Sequence, residues 1–558
     1  MLARKDKVKI SFRAESHGIG FGVGGLVSAN QLAARRRVVA APRGQVGELA
    51  RAQPSAHRCI EAAFPKMSDS SPTPPPASPD AASTNSEAEL KKDQGNEHFK
   101  VERWADAVVC YNAAIELDPE KPAYYTNRAA CHIKMENHGL AIADGTVALE
   151  LEKTFAKAYY RRGSAYMALG KYKDALKDFK SLRQLKPTDR DALEKFKAAE
   201  REVKREAFEK AIRSDDANEV PITERLDPAQ MAVESSYTGP QPSFPLTHSA
   251  VLAIAAHLKD QKTLHQKYAM QILIELHKQL KTLPSLVDVP IPQGTHINVC
   301  GDTHGQFYDL LNIFELFGYP SESNPYLFNG DFVDRGSFSL EVVLLLFTFK
   351  VLYPNHVHLT RGNHETLNMN RIYGFEGEVK AKYNTTMFEL FTACFHCLPL
   401  AYCLGKMIYI THGGLFSRDD VMLDDIRKVD RFREPPDEGI MSEALWSDPQ
   451  PMPGRAPSKR GVGLSFGPDV TANFLNRNGL KMVVRSHEVK DEGYEVEAGG
   501  KLCTIFSAPN YCDQMGNKGA LLRFDHNGEY EVKQFTAVPH PNVRPMAYAG
   551  GMQSMFGF

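Results

Sequence analysis

Three clusters of polar residues, each directly behind a short apolar run, constrain the fold of this chain more than any other feature. The clusters read Gly-Asp-Thr-His-Gly at residues 301–305, Gly-Asp-Phe-Val-Asp-Arg-Gly at 330–336 and Arg-Gly-Asn-His-Glu at 361–365. A β-branched and aromatic run that ends in Gly with Asp, His or Asn indicates a strand that delivers polar side chains to the rim of a sheet. The same pattern occurs twice more, before His412 and before His487. The sequence therefore predicts that five strand ends meet at one site.

The residue types in these clusters indicate a metal site. The candidate ligands are carboxylates, an amide and imidazoles: Asp302, His304, Asp331, Asn363, His412 and His487. Asp302 and His304 are two residues apart, so in an extended segment both side chains point the same way and can bind one ion. Asp331 can bridge two ions. Oxygen and nitrogen ligands without thiolates favour manganese, iron or zinc, and two such ions can activate a water and clamp a phosphoryl group.

Three more residues in the clusters suit phosphoryl transfer. Arg335 is a natural fork for a phosphate, and His364 is a candidate acid with Asp334 as its orienting partner. Each cluster alone is also compatible with a turn, a solvated loop or a helix cap. All three occur in order and each follows a strand, which favours the catalytic interpretation.

These residues resemble the phosphoprotein phosphatase family of serine/threonine phosphatases. The resemblance rests on the three clusters, on His-Gly-Gly at 412–414 and on Ser-Ala-Pro-Asn-Tyr-Cys at 507–512. The three clusters are shared with the wider calcineurin-like metallophosphoesterases, whereas Arg361 and the 507–512 run narrow the match to the protein phosphatases. The resemblance implies an α/β metallophosphoesterase domain with a central β-sandwich flanked by helices, which we expect at residues 248–546.

The resemblance also implies roles for individual residues. One metal ion would be held by Asp302, His304 and Asp331. The second ion would be held by Asp331, Asn363, His412 and His487. The substrate phosphate would lie between Arg335, Arg460, Asn363 and His364, with Tyr511 at the edge. A hydroxide activated by two divalent ions (manganese, iron, zinc or magnesium) would attack phosphorus, and His364, held by Asp334, would protonate the departing oxygen without a phosphoenzyme.

An internal repeat of 34 residues precedes this domain, at residues 88–187. Starts at 88, 122 and 156 align small residues at two positions: Gly95, Ala129 and Gly163, and Ala107, Ala141 and Ala175. The second repeat is degenerate, because Gly145 stands where Tyr111 and Phe179 supply an aromatic ring. The period and the small residues are typical of three tetratricopeptide repeats, an all-α solenoid, and argue against a coiled coil.

Five polar residues on the inner helices of these repeats form a candidate partner site. They are Lys92, Asn96, Asn127, Lys157 and Arg161. They resemble the two-carboxylate clamp by which some tetratricopeptide domains hold the acidic carboxy-terminal tail of heat-shock chaperones. Lysine, arginine and asparagine donate charge-assisted hydrogen bonds to carboxylates, so the match is chemically sound. The alternative is an ordinary solvated face.

The remaining segments are predicted from composition. Residues 1–66 hold twelve Lys or Arg against four acids; they are either a mitochondrial transit peptide or an upstream extension of the gene model, since Met67 resembles a true start. We expect disorder up to residue 87, a helix extending the solenoid at 188–213, a proline-rich linker at 214–247 and a tail at 547–558. Cys394 and Cys397 are expected in a helix core.

The overall composition limits the partners and the compartment. Hydrophobic residues make up 42%, charged residues 24% and the net charge is −1, which argues against nucleic acid or a membrane surface as the main partner. No apolar run reaches the length of a membrane span. Nine scattered cysteines suggest free thiols in a reducing compartment. We expect a monomeric protein of the cytoplasm and nucleus that acts on phosphoproteins.

The order of the domains suggests regulation. In members of the family in which tetratricopeptide repeats precede the phosphatase, the repeats cover the active site until a lipid or a chaperone tail binds them. Glu136, in the turn of the second repeat, is the candidate residue that touches the catalytic side. Two glycines in the tail, Gly550 and Gly551, weaken a helix that would help to hold the repeats in place. The competing hypotheses are a catalytically idle, chaperone-bound adaptor and a hydrolase of small phosphoesters.

Overall fold

The computed structural model describes residues 79–215 and 220–549. The predictions made for residues 1–78 and for Gly550 and Gly551 lie outside the described residues. Within the described ranges, no helix combines the length and the apolar composition that crossing a membrane requires.

Seven helices form the first part of the fold. They are α1 (Pro79–Lys100), α2 (Trp104–Leu117), α3 (Pro122–Lys134), α4 (His138–Leu151), α5 (Ala156–Ala168), α6 (Tyr172–Leu185) and α7 (Arg190–Asp215). The first six pack as three helix pairs, and α7 packs on α6 as the extending helix. Residues 79–87 differ from the prediction of disorder, since they are the start of α1.

The aligned small residues are required by close contact inside each pair of helices. A Cβ added at Gly95 would lie 2.7 Å from the Tyr111 ring, and one added at Gly163 would lie 2.8 Å from the Phe179 ring. The second repeat has glycine, Gly145, at the position of the aromatic ring. A Cβ on Gly145 would lie 2.8 Å from the Cβ of Arg162, so the missing aromatic ring makes room for the next repeat.

Ion pairs also recur at the repeat period. Arg128 on α3 donates to both carboxylate oxygens of Asp144 on α4, at 3.0 and 2.6 Å. Arg162 on α5 binds Asp178 on α6 in the same way, at 2.9 Å for both contacts. Both aspartates are buried. Such bidentate pairs fix the geometry of each helix pair as well as contributing energy.

The segment after α7 is packed rather than extended. It contains α8 (Ile222–Arg225) and a 3₁₀ turn at Pro228–Gln230. The side chains of Ile222, Leu226 and Met231 pack against the core of the α/β domain that follows. The part of the predicted linker that the structure describes therefore belongs to the surface of that domain.

The α/β domain alternates strands with helices. Its strands are β1 (Leu286–Val289), β2 (His296–Cys300), β3 (Tyr326–Phe328), β4 (Val357–Leu359), β5 (Ala401–Leu404), β6 (Ile408–Thr411), β7 (Asp448–Pro449), β8 (Arg455–Pro457), β9 (Leu464–Phe466), β10 (Met482–Arg485), β11 (Tyr494–Glu497), β12 (Leu502–Ile505), β13 (Gly519–Asp525) and β14 (Tyr530–Phe535). Its helices are α9 (His248–Lys259), α10 (Gln266–Lys281), α11 (Phe307–Phe317), α12 (Ser339–Leu352), α13 (Leu367–Tyr373), α14 (Phe375–Lys382), α15 (Thr385–Cys397), α16 (Leu423–Arg427), α17 (Ile440–Trp446) and α18 (Pro468–Asn478).

Two mixed sheets stack to form the predicted sandwich. One has the order β1-β5-β6-β10-β12-β11 and the other β14-β13-β2-β3-β4, and a small third sheet has the order β7-β9-β8. Apolar side chains of both large sheets, among them Val299, Leu327, Ile410 and Val484, share one buried core. Helices α9, α10, α12 and α15 cover the outer face of the five-stranded sheet, and α18 covers the six-stranded one. The fold class predicted from the sequence is confirmed.

Parallel pairing explains why the polar clusters meet. β2 pairs in parallel with β3 and β3 with β4 in one sheet, while β6 and β10 are parallel in the other. The carboxyl ends of parallel strands lie at the same edge of a sheet, which is where ligands bind in α/β folds. Cys394 and Cys397 are buried in α15, as expected.

Candidate active site and metal centre

The first group of predicted ligands follows β2 and β3. The Nδ1–H of His304 donates to the carbonyl of Val333 at 3.0 Å. The other ring nitrogen, Nε2, then lies 3.5 Å from Asp331 Oδ2 and 3.7 Å from Asp302 Oδ2. A backbone carbonyl that binds one nitrogen of a histidine fixes the tautomer in which the other nitrogen is free to bind a metal.

The second group forms around His412, directly after β6. Its Nδ1–H donates to the carbonyl of Asn329 at 2.8 Å. Its Nε2 lies 3.2 Å from Asp331 Oδ2, 2.9 Å from Asn363 Oδ1 and 3.2 Å from His487 Nδ1. The structure therefore brings together all six ligands that the sequence predicts.

These residues fit divalent cations. In the tautomer set by the backbone carbonyls, Nε2 of His304 and of His412 faces carboxylate oxygens. Burial lowers the pKa of His412, but Asp331 and Asp302 outweigh it and raise that pKa to about 9. The buried carboxylates therefore require a positive charge beside them, which a proton on His412 or a metal cation supplies. Two ligand atoms that each lie about 2.1 Å from one ion are about 3 Å from each other. The distances between the ligand atoms around His412 match this value.

Asp331 belongs to both groups. The donor atoms of His304, Asp331 and His364 lie within 4.8 Å of one another, and so do those of Asp331, His412 and His487. The resemblance assigned Asp302 rather than His364 to the first group, and Asp302 lies between the two groups, 3.7 Å from a ring nitrogen of each of His304 and His412. The arrangement therefore suits two ions that share Asp331.

The acidity of these ligands is strongly perturbed. Burial raises the pKa of Asp302 to about 7, although the His412 imidazole opposes the shift. Burial also acts on Asp331, but the imidazoles of His412, His364 and His304 outweigh it and hold its pKa well below the usual range. Burial lowers the pKa of His304 to about 3. Two carboxylates in a dry site need compensating positive charge to be ionised together.

The site also concentrates backbone strain. Non-glycine residues with positive φ include His304 (40°), Asp331 (50°), Asp334 (70°), Arg335 (70°) and His487 (69°). Such conformations cost of order 1 to 3 kcal/mol each and persist where the surrounding structure enforces them. The strained backbone therefore lowers the stability of the fold, and it holds these side chains in the orientation that the site requires.

Arg335 lies at the mouth of the site. Its guanidinium stacks on the Tyr373 ring, 3.8 Å from the centroid, and donates a hydrogen bond to the carboxylate of Glu136 in the turn before α4. Only 7% of the Arg335 side chain is exposed. A desolvated guanidinium that binds a carboxylate can equally bind a phosphate.

Arg460 approaches the site from the loop between β8 and β9. Its Nε donates to Asp448 Oδ2 at 2.7 Å, and its Nη2 donates to the carbonyl of His487 at 2.8 Å. Tyr511, in the 3₁₀ turn Tyr511–Asp513, has its ring 5.1 Å from that of His304. Both residues thus border the ligand cluster, as the resemblance implied.

His364 and Asp334 form the predicted pair. The Nδ1–H of His364 donates to Asp334 Oδ2 at 2.8 Å. Asp334 is fully buried and also accepts from the Asn370 amide at 3.1 Å and from the Phe375 N–H at 2.9 Å. Burial lowers the pKa of His364, but Asp331 and Asp334 outweigh it, and the net shift is upward. The geometry leaves Nε2 facing the ligand cluster.

Glu365 is a site residue that the sequence analysis did not assign. Its carboxylate accepts backbone N–H bonds from Asp331, Phe332 and Gly362, each at 2.8 Å. Glu365 therefore fixes the strained backbone that carries Asp331. Its place directly after His364 was the available signal, but a sequence does not show which backbone groups a carboxylate will meet.

The turns of the second and third repeats cover the rim of the site. The N–H of Leu140 donates to the carbonyl of Lys459 at 3.2 Å, and the Tyr172 hydroxyl donates to Asn368 at 2.5 Å. Met167 and Tyr172 share one apolar cluster with Met369, Ile372 and Tyr373, which lie on α13 and belong to the α/β domain.

The segment that leads to the tail also reaches Arg335. The N–H of Met546 donates to the Arg335 carbonyl at 2.8 Å, and the N–H of Ala547 donates to Ser337 Oγ at 3.1 Å. Repeats and tail thus meet at the same arginine.

The predicted clamp residues lie on α1, α3 and α5. The amide of Asn127 donates to Asn96 Oδ1 at 3.2 Å, and Lys92 forms ion pairs with two acids of its own helix. Lys157 is exposed, and Arg161 is half-buried one turn further along α5. The structure places all five on the first helices of their repeats.

Known proteins resemble this chain over both parts of the fold. The family model for calcineurin-like phosphoesterases matches residues 295–491, tetratricopeptide repeat models match residues 95–135 and 156–189, and a model described as the PPP5 TPR repeat region matches residues 196–288. A solved structure of a Saccharomyces cerevisiae serine/threonine phosphatase with similarity to human PP5 is 44% identical to this chain. It covers 53% of this chain and 98% of its own, with a TM-score of 0.51.

Two curated relatives extend over nearly the whole molecule. Serine/threonine-protein phosphatase 5 of Homo sapiens is 53% identical over 478 residues, which is 85% of this chain and 96% of the relative. Serine/threonine-protein phosphatase T of Trypanosoma brucei brucei is 51% identical over 469 residues, which is 83% of this chain and 98% of the relative. With this coverage and with the metal-ligand cluster in place, the chain belongs to the serine/threonine-protein phosphatase 5 family and is a serine/threonine-protein phosphatase with a calcineurin-like phosphoesterase domain.

Proposed function

We propose that this phosphatase hydrolyses phosphoserine and phosphothreonine in proteins, and that its repeats inhibit it until a chaperone tail or a lipid binds them. The observation that carries the proposal is the contact between Glu136 and Arg335. It joins the repeat domain to the residue best suited to bind substrate phosphate.

The ligand set fits two divalent ions, for which we propose manganese, iron or zinc, with magnesium as a further candidate. When bound, such ions supply Lewis-acid chemistry: they lower the pKa of a water and neutralise charge on the phosphoryl group. One ion would be held by Asp302, His304 and Asp331. The other would be held by Asp331, Asn363, His412 and His487.

The protein's own groups bind and orient the phosphate. Arg335 and Arg460 approach the ligand cluster from two sides and donate to phosphate oxygens, and the side chains of Asn363 and His364 complete the binding site. Tyr511 borders it at the edge. The ion pair with Asp448 keeps Arg460 aimed inward. Positioned donors of this kind account for most of the catalysis of phosphoryl transfer.

The proton for the leaving group comes from His364. Its Nδ1–H is engaged by Asp334, so the proton on Nε2 of the imidazolium is the one that can reach a seryl or threonyl oxygen. Asp331 and Asp334 outweigh burial and raise the pKa of His364, which favours the protonated form of the ring. General-acid catalysis by a positioned histidine contributes typically about 10²- to 10⁴-fold.

Inhibition follows from competition for one guanidinium. The Glu136 carboxylate takes the donors of Arg335 that a phosphate would use. Burial opposes ionisation of Glu136, but the Arg335 charge outweighs it and lowers the pKa of Glu136. The carboxylate therefore stays ionised and bound at neutral pH. A substrate must displace both this pair and the apolar contacts of the third repeat.

Activation requires a partner that favours the detached repeats. We propose the acidic tail of a heat-shock chaperone, bound by Lys92, Asn96, Asn127, Lys157 and Arg161. A ligand shifts such an equilibrium only by its difference in affinity for the two states. The tail would therefore bind the detached state more tightly. Residence in the cytoplasm and nucleus, and a monomeric state, stay predictions.

The test compares hydrolysis of a phosphoserine peptide by the full chain and by residues 241–558, both with manganese. Each is assayed with and without a chaperone-tail peptide, and the control peptide ends in an amide instead of a carboxylate. We expect the short chain to be fast and the full chain slow, and we expect only the free carboxylate to raise the rate of the full chain. An Arg161→Met variant should lose that response.

Other outcomes would favour the competing hypotheses. If both chains bind the metals but hydrolyse nothing, the chain is an idle adaptor. If both hydrolyse small aryl phosphates but no phosphopeptide, the substrate class is wrong. Equal rates for the two chains would remove the inhibitory role of the repeats and leave the catalytic assignment standing.

A further inference from the structure

The pair formed by His364 and Asp334 has a third member on α13. The side-chain amide of Asn370 donates one N–H to Asp334 Oδ2 at 3.1 Å and the other to the backbone carbonyl of His364 at 2.6 Å. Asn370 is 1% exposed. One buried amide therefore joins the carboxylate that orients the imidazole to the backbone that carries the imidazole.

The orientation of this amide is fixed by its neighbours. Both groups that it contacts are acceptors, so only the NH₂ end of the side chain can lie between them. Within residues 79–215 and 220–549, no group donates to the Oδ1 of Asn370. A buried carbonyl without a donor costs stability. The fold bears this cost where the other end of the amide contacts the acid pair twice, which indicates a role in function rather than in stability.

Asn370 completes the contacts that hold His364 in place. The backbone N–H of His364 donates to Asp331 Oδ1 at 2.8 Å, and its Nδ1–H donates to Asp334 Oδ2 at 2.8 Å. The carbonyl of His364 accepts from Asn370. Side chains therefore bind the N–H, the ring and the carbonyl of this one residue, and Asn370 takes part in two of the three contacts, directly at the carbonyl and through Asp334 at the ring.

Helix α13 sets the position of Asn370. The backbone N–H of Asn370 donates to the carbonyl of Thr366 at 3.1 Å, in the first turn of the helix. Tyr373 follows three residues later, on the same face of the helix, and its ring centroid lies 5.2 Å from that of His364. This face of α13 thus contacts His364 at its ring and at its backbone.

A neutral donor suits this position. Asp334 accepts the Nδ1–H of His364 on Oδ2, and its Oδ1 accepts the N–H of Phe375 at 2.9 Å. A lysine or an arginine in place of the amide would bring a second cation to the carboxylate and compete with the protonated imidazole for its charge. The amide of Asn370 holds the carboxylate without that competition.

We infer that Asn370 is a positioning residue of the reaction, which holds the Asp334 carboxylate and the His364 backbone so that Nε2 of His364 faces the oxygen of the leaving group. The inference rests on the proposed function, since it requires His364 to be the proton donor. Asn370 acts through these two residues. Its removal should therefore impair proton donation and leave metal binding and the attack on phosphorus unchanged.

The test compares two substrates on the full chain with manganese. A phosphoserine peptide releases an oxygen that needs a proton, and an aryl phosphate releases one that does not. Asn370→Ala removes both donors, and Asn370→Ser keeps one donor on a shorter side chain. The readout is the ratio of the two kcat values for each variant relative to that of the wild type, so inhibition by the repeats cancels.

Asn298→Ala is the matched control. Asn298 is also fully buried, and its amide also donates two hydrogen bonds, to Asn324 Oδ1 at 2.8 Å and to the carbonyl of Pro325 at 3.3 Å. The control therefore removes the same number of buried donations from a place that does not touch the acid pair. Asn298→Ala should lower the melting temperature and leave the ratio of the two rates at the wild-type value.

We expect Asn370→Ala to lower kcat for the phosphoserine peptide about tenfold with little change in KM, and to lower kcat for the aryl phosphate less than about twofold. Asn370→Ser should show the same pattern with a smaller loss. In a His364→Asn background, Asn370→Ala should cause no further loss, because the acid that it positions is gone.

Three results would overturn the inference. An equal loss on both substrates, or a further loss in the His364→Asn background, would mean that Asn370 supports the fold or the metal site instead of the acid. Unchanged rates would mean that Asp334 orients the ring without Asn370. If Asn370→Ala does not fold, the ratio for Asn370→Ser decides. A failure of the proposed function is distinguishable, because His364→Asn alone would then lower both rates equally, and the acid assignment and the inference would fall together.

Discussion

The carboxylate of Glu136 accepts a hydrogen bond from the guanidinium of Arg335 across 199 positions of sequence. Both residues have positive φ, 60° for Glu136 and 70° for Arg335, so two strained backbones aim the two side chains at each other. The contact lies where the repeat domain meets the rim that we propose binds phosphate. In the proposed function the repeats compete with the substrate for Arg335, and substitutions at this contact test that competition.

Replacing Glu136 by glutamine should activate the full chain. Glu136→Gln keeps the size of the side chain but removes the charge that pairs with buried Arg335, and breaking such a pair destabilises the state that contains it. We expect the turnover of a phosphoserine peptide by the full chain to rise about tenfold, equivalent to about 1.4 kcal/mol. The chain of residues 241–558 lacks Glu136, so its turnover sets the upper limit for the activation.

A matched control separates this contact from a general effect on the repeats. Glu120→Gln removes an exposed glutamate just before α3 and should leave the basal rate unchanged. Activation by both substitutions would indicate loosened repeats. Activation by neither would mean that Arg335 is available to substrate in the intact protein.

Acid should release the repeats through His138. This residue is 5% exposed in the interface. Burial lowers its pKa to about 4, with Arg335 and Arg460 acting in the same direction and Glu136 against them. The covered state therefore holds His138 neutral, while a solvated histidine titrates near 6.5. The stabilisation is complete above pH 6.5 and declines as the pH falls from 6.5 towards 4.

The measurement is the ratio of full-chain to short-chain activity between pH 7.5 and 5.5, since dividing by the short chain removes the pH dependence of the chemistry. We expect the ratio to rise about tenfold at the lower pH, one pH unit below the solvated pKa. His138→Gln cannot take up a proton in this range, so its ratio should be flat. A wild-type ratio that is flat as well would contradict the role of His138.

The sequence predicts which residues form the candidate metal site better than it predicts the contacts that surround the site. Asp302, Asp331 and Asn363 could be placed together because each follows a strand, and parallel pairing brings strand ends to one edge. The small-residue positions of the repeats could be found because each pair of helices forces a close contact at a fixed period.

The residues that hold those side chains in place are harder to predict. Glu365 binds three backbone N–H groups and Asp448 orients Arg460, but nothing local distinguishes these carboxylates from solvated ones. The packing of Met167 and Tyr172 on Met369 joins segments about two hundred residues apart. Such contacts depend on how two folded domains pack against each other. The periodicity of the sequence does not predict that packing.

As the proposed shared ligand, Asp331 should affect the binding of both metal ions. Asp331→Asn weakens a donor that belongs to both groups, so we expect metal content, measured by mass spectrometry of the purified protein, to fall from about two ions per chain towards zero. His487→Asn should lower it by about one. Because ions bind only the folded chain, the melting temperature should fall as well.

A half-buried histidine outside the metal site provides the control. His526→Asn, between β13 and β14, should keep both ions. Full metal content in Asp331→Asn would contradict the shared site, and loss of both ions in His487→Asn would indicate that the two ions bind only together.

Replacing His364 should separate leaving-group chemistry from metal-assisted attack. With His364→Asn we expect kcat for a phosphoserine peptide to fall by about 10²- to 10⁴-fold with little change in KM, because a positioned acid acts in the transition state. Aryl phosphates release a weakly basic oxygen that needs no proton, so the loss on an aryl phosphate should be much smaller.

Asp334→Asn should show the same pattern with a smaller loss, since the proton donor remains but its ring is less firmly held. An equal loss on both substrates would instead make His364 a metal ligand, which its place beside His304 and Asp331 allows, and measured metal content would then fall with activity.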